Sequence, residues 1–227
     1  MPRFQIDFRF VEIEAELWAL RQFLSVVEDQ ITSLIDEDAR RLHAANADLE
    51  WEDPSFGAER QEHDIRSTRV FPRFMRNPFL VALWACYESG VEEVAAELLR
   101  KKGKGLRLRD IRGENWLECA VTYFAEVHGW QLESDPGLLE AIRDLLVVRN
   151  CVAHANGQVR SIPENKLKKL RAVAARQRGV AIDDGLIVTT PEYLAGAFAA
   201  VDSSLSSLVT AVRGGPSVRK IPPEQGA

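Results

Sequence analysis

An all-α helical bundle, with a long N-terminal heptad helix and a small β-hairpin before the last helix, is the fold class the sequence predicts. Apolar residues recur at Phe10, Ile13, Leu17, Leu20, Leu24, Val27, Ile31 and Leu34, in alternating steps of three and four, which is the pattern of a helix seam. Two further segments carry start and stop residues at both ends, Asn77-Pro78 with Gly103 and Asp135-Pro136 with Asn156-Gly157, as helices do. Strand-type residues flank a turn pair in only one short stretch, VAIDDGLIVTT.

Taken in order, the heptad seam makes a helix from about Asp7 into the forties, and its narrow stripe needs a partner, within the chain or on a second copy. Asp48 to Asp64 is acidic and interrupted by Pro54 and Gly57, so a loop or flexible connection is expected there. A helix from Pro78 to Lys102 follows, with Phe79, Leu83, Cys86, Val94 and Leu98 toward a core and Glu88, Glu92 and Glu93 between them. The basic, glycine-containing KGKGLRLRDIRG reads as an exposed connector. Glu114 to Val127 is a shorter helix with Trp116, Val121, Phe124 and Val127 on its apolar side. The next helix runs from Pro136 through LLEAIRDLLVVRNCVAHA to a left-handed stop at Asn156-Gly157. Pro163 to Gln177 is a basic helix, and Asp184-Gly185 is the turn of the hairpin. Thr190-Pro191 opens a final helix that reaches Val212 and stops at Gly214. The expected organisation is therefore a long helix and acidic connector over 1–65, a helical domain over 66–213 and a disordered tail over 214–227.

Composition excludes several classes. With 227 residues, 46% of them hydrophobic and 28% charged, the chain can bury a sizeable core. Its three cysteines, Cys86, Cys119 and Cys151, form no CxxC pair, which points to a reducing compartment. No apolar run approaches the roughly 18 residues that cross a bilayer, and the start MPRFQIDFRF is not a signal peptide. A cytoplasmic protein with no membrane association is expected. The net charge of −5 is uneven: residues 1–64 hold 16 acidic and 6 basic side chains, net −10, leaving 18 acidic and 23 basic, net +5, for residues 65–227. The second part can attract a polyanion, or its charges can be solvated helix faces.

Neither GxxxxGK[ST] nor HExxH occurs, and His43, His63 and His128 have no ligating neighbours at metal spacing, so no cofactor and no metal are expected. GKG at 103–105 is too short for a phosphate loop and reads as a helix stop. VVRNCVAHANG remains, where Arg149, Asn150 and His154 arrive together at the end of an apolar helix. Asn150 and His154 lie on one face a turn apart, with Arg149 beside them. An imidazole moves protons near neutral pH and a guanidinium clamps phosphate through paired hydrogen bonds, which together are the parts of metal-free phosphodiester cleavage. His154 can equally answer the negative end of the helix dipole while Arg149 makes a surface ion pair, and spacing alone favours that structural role.

The segment resembles the Arg-polar-x3-His motif of HEPN domains, with Arg149, Asn150 and His154 in that order and spacing. The preceding helix LWACYESGVEEVAAELL, a shorter helix, the motif helix ending in HANG and a closing helix resemble the family's bundle over residues 66–213. The resemblance, closest to the RiboL-PSP type, implies a homodimer whose two motifs meet at a two-fold axis and a metal-independent endoribonuclease of toxin–antitoxin, phage-defence or CRISPR systems. It implies that His154 is the general base or acid at the ribose 2′-hydroxyl, that Arg149 stabilises the charged phosphorane, that Asn150 orients histidine or phosphate, and that Glu88 is an auxiliary acidic residue. Lys166, Lys168, Lys169 and Arg171 of the basic helix are the expected RNA-binding residues. Other members are not catalytic, so a second reading is a nucleotide-binding module or dimeric partner of a nucleotidyltransferase, and an antitoxin is a further candidate partner. A third is an interaction protein organised by the heptad helix.

Overall fold

The computed structural model describes residues 10–47 and 54–214. The start of the acidic connector and the tail expected to be disordered lie outside the described residues. The chain is an all-α bundle of α1 (Val11–Ala45), α2 (Pro54–Ile65), α3 (Phe71–Lys102), α4 (Trp116–Thr122), α5 (Pro136–Ala155), α6 (Glu164–Arg176) and α7 (Pro191–Gly214), with β1 (Val180–Asp183) and β2 (Leu186–Thr189) ahead of the last helix. The strands pair antiparallel, Val180 opposite Thr189 and Asp183 opposite Leu186. Asp184 and Gly185 between them are both left-handed, at φ 46° and 75°, the backbone of a two-residue type I′ turn.

Two compact units divide the chain, and they are not consecutive in sequence. The first comprises residues 1–19, 83–145 and 197–227, the second residues 20–82 and 146–196. The helix α1 contributes to both, with residues 11–19 in the first and 20–45 in the second. Phe10, Ile13, Leu17, Leu20, Val27 and Ile31 of the predicted seam are all buried, so the partner of the seam is this chain itself.

In the first unit, helices approach closely at Gly90, where a Cβ would stand 2.9 Å from a Leu205 methyl and 3.5 Å from Ile13. Trp84, Tyr87 and Trp116 form a tilted and edge-to-face aromatic cluster with centroids 5.6–6.2 Å apart, an arrangement that suits the ring quadrupoles. In the second unit Phe23 stands edge-on to Phe79 at 5.7 Å. Asp38 of α1 accepts from Arg66 Nε at 2.9 Å and meets His63 Nδ1 at 2.7 Å.

Two sequence expectations are corrected. The connector up to Asp64 is not a loop after Pro54: Pro54–Ile65 is helical, since proline is tolerated in a first helical turn and Gly57 opens onto empty space. Asn77-Pro78 does not start a helix but lies inside α3. Helical structure is continuous from Pro54 to Lys102 through a π turn at Arg66–Val70, where the Phe71 N–H reaches back to Arg66 O. Among the described residues, α7 has an 18-residue window of mean hydropathy 1.3, long and apolar enough to cross a membrane by length and composition alone. Its Leu194, Val201, Leu205 and Leu208 are fully buried within the protein, which is also the composition of a core helix.

Candidate functional site at the end of α5

The last two turns of α5 belong to the second unit. Val148, Cys151 and Val152 are buried there, whereas Arg149 and Asn150 are half-buried and His154 is exposed. The polar motif therefore sits on the margin of the apolar face. Arg149 Nη1 donates to Asn150 Oδ1 at 3.1 Å, so the two side chains hold each other. Arg149 Nε is buried and has no hydrogen-bond partner among the described residues, an unmet donor on an otherwise half-buried side chain. One turn on, His154 lies about 6 Å further along the same side of the helix, the usual i, i+4 spacing.

What stops the helix also fixes the motif. Asn156 and Gly157 are left-handed, at φ 47° and 75°, a common way for a helix to end, and the Gly157 N–H returns to Cys151 O at 3.2 Å. A Cβ on Gly157 would stand 3.1 Å from Ile187 and 3.7 Å from Asn77 Nδ2, so both conformation and space call for glycine. The hairpin then pins this end: Ile187 N–H donates to Gly157 O at 2.8 Å and Val159 N–H to Gly185 O at 2.9 Å. The hairpin is itself anchored. Arg76 of α3 donates to Thr189 O at 2.6 Å and grips both carboxylate oxygens of Glu28 at 2.7 Å, while Arg69 pairs with Asp184 at 2.7 Å.

Beside the hairpin, Arg73, Asn77 and Ile187 line a cavity of about 10 Å³, the room of a single water. Arg73 Nε and Asn77 Nδ2 are buried without a partner among the described residues, and two donors facing such a space suit one bound oxygen. Sequence reading missed Arg73, Arg76 and Asn77, because Asn77-Pro78 carries the signal of a helix start and draws attention from its own side chain.

Lys166, Lys168, Lys169 and Arg171 are exposed on α6, which follows the motif through a 3-10 turn at Val159–Ser161. Leu170 and Val173 bury the opposite side of that helix. Arg171 is partly committed, pairing with Glu164 at 3.2 Å. Glu88 belongs to the first unit and accepts from Trp84 Nε1 at 3.0 Å, a bond that satisfies a buried indole. Cys151, next to Asn150, is not a ready nucleophile: burial pushes its thiol up to about 11. Among the described residues no group of three or more His, Cys, Asp or Glu side chains is arranged to hold a metal ion.

No known family, curated protein or solved structure matches this chain.

Proposed function

We propose that this protein is a metal-independent endoribonuclease of the HEPN type, cytoplasmic and homodimeric, acting as a toxin or phage-defence effector. One observation carries it: Arg149, Asn150 and His154 come together on one pinned helix end, with the Arg149 Nε unsatisfied and His154 open to solvent. An unsatisfied buried guanidinium nitrogen is costly, and the half-buried Arg149 side chain can still offer a phosphate oxygen a charge-assisted bond.

In the proposed reaction His154 takes the proton of a ribose 2′-hydroxyl as that oxygen attacks the adjacent phosphorus. Charge grows on the non-bridging oxygens, where Arg149 opposes it, held in place by Asn150. The bond from phosphorus to the 5′-oxygen breaks, that oxygen is protonated, and the products end in a 2′,3′-cyclic phosphate and a 5′-hydroxyl. The exposed lysines of α6 offer backbone contacts to RNA on the same unit as the motif.

Purified protein should cleave single-stranded RNA in EDTA, and Arg149→Ala or His154→Ala should lower the rate by at least about 10²-fold with RNA binding retained. Neutralising Lys166, Lys168 and Lys169 together should do the opposite, weakening binding and flattening its salt dependence while turnover at saturating RNA persists. Cleavage that needs magnesium, or that survives His154→Ala unchanged, defeats the proposal.

A further inference from the structure

A second cleft lies in the first unit, between α3 and the basic segment that follows it. Its volume is about 480 Å³, within the range of small-molecule sites. Arg107 and Arg109 stand on it, exposed, and neither makes an ion pair among the described residues. Arg100 stands there too but is engaged by Glu97 through two bonds of 2.7 and 2.8 Å. The floor is apolar, with Ala96 and Leu99 of α3. Glu92, also on the wall, accepts from Trp116 Nε1 at 3.3 Å.

The second observation is Tyr123, which lines the same cleft. The residue is fully buried, and its hydroxyl has no hydrogen-bond partner among the described residues. Buried hydroxyls almost always find one. The backbone explains its placement: α4 gives way at Tyr123 to a π turn, Tyr123–Val127, and such single turns inside helices recur at functional sites. Burial, and then the nearby charge of Asp110, raise the Tyr123 pKa, which keeps the hydroxyl protonated as a donor. Asp110 itself is occupied, accepting from the Arg107 N–H at 2.9 Å, and this bond holds the turn that carries both free arginines.

We infer that this cleft binds a small phosphate-bearing molecule with a planar or apolar body of about nucleotide size, its phosphate on Arg107 and Arg109 and its body over Leu99 and Ala96 against the Tyr123 hydroxyl. Two exposed guanidinium groups without an ion pair, carried on one short turn, are the side-chain type that binds phosphate through paired hydrogen bonds. Only a ligand carrying more than the anion also uses the apolar floor and the buried donor.

Calorimetric titration of the full chain with AMP, adenosine, inorganic phosphate and glucose 6-phosphate tests it. AMP should bind with a Kd of roughly 10⁻⁵ to 10⁻³ M, tighter than the other three. The double variant Arg107→Ala/Arg109→Ala should weaken AMP at least about tenfold, and Tyr123→Phe about fivefold. Both arginines are exposed and unpaired, so thermal melting should be unchanged in the double variant. Arg149→Ala and His154→Ala should bind AMP as the parent does, which separates this site from the proposed nuclease. Absence of AMP binding, AMP binding no tighter than phosphate alone, or full affinity in the double arginine variant overturns the inference.

Discussion

Asp38 joins two other side chains, and its titration is the clearest handle on a single residue. Burial alone would raise its pKa, but hydrogen bonds from Arg66 and His63 outweigh that and leave the carboxyl below its ordinary value. A folded pKa below the unfolded one, about 3.9 for aspartate, contributes stability above that value which is lost as pH falls through the folded pKa. Asp38→Asn should therefore cost about 2 kcal/mol at neutral pH, in line with a lost charged hydrogen-bond network, and flatten the decline in stability below about pH 4. Urea melts of both proteins at several acidic pH values check it; parallel pH curves would mean that the Asp38 carboxylate is not held as described. None of this network was legible in the sequence. Asp38 and His63 are 25 positions apart, and only the fold brings them together. The motif residues were legible, because an arginine, an asparagine and a histidine stand out at the end of an apolar run, but the unsatisfied Arg149 Nε depends on what buries it.

Whole elements divide in the same way. The motif helix, the hairpin turn and the last helix have local causes, namely Pro136, Asp184-Gly185 and Pro191 with Gly157 as a stop, and local causes can be read from a string of residues. α2 and the first turns of α3 could not be read so, because proline is ambiguous: it opens helices as readily as it breaks them. At Pro78 the ambiguity is resolved by neighbours. Asn77, Phe79 and Leu80 are buried while Pro78 is exposed, so burial of its neighbours sustains a helix whose Phe74 carbonyl receives no bond from position 78. Pro78→Ala should supply that N–H without disturbing a contact, raising stability by about 1–3 kcal/mol less the entropy that proline removes from the unfolded chain. Differential scanning calorimetry should show a Tm several degrees higher, about 2–4 °C per kcal/mol for a chain of this size. A lower Tm would mean that the proline is required where it stands. The basic stretch after α3 has the composition of a connector, and no local pattern shows that Tyr123 lines the same cleft as Arg107 and Arg109.

At the scale of the whole molecule, the seam of α1 had two possible partners, and its burial decides which residues can hold copies together. Val27 is completely buried and Ile31 is 4% exposed, so these positions are core and cannot also form a contact between chains. A dimer of the proposed kind would have to rest on the proposed shared site and on surfaces other than this seam. The two roles predict different outcomes for one substitution. An aspartate at position 27 would bury an unpaired charge, a cost of several kcal/mol set against a total stability of about 5–15 kcal/mol. Val27→Asp should therefore give unfolded or aggregated protein, seen as lost helical circular dichroism at 222 nm, and not a folded monomer. The parent chain should sediment as a dimer at micromolar concentration if two copies of Arg149 and His154 face each other as proposed. A parent monomer would remove the shared site while leaving the core assignment intact, whereas a Val27→Asp chain that stays helical but dissociates would show that the seam lies between copies, and the packing of α1 would then have to be redrawn.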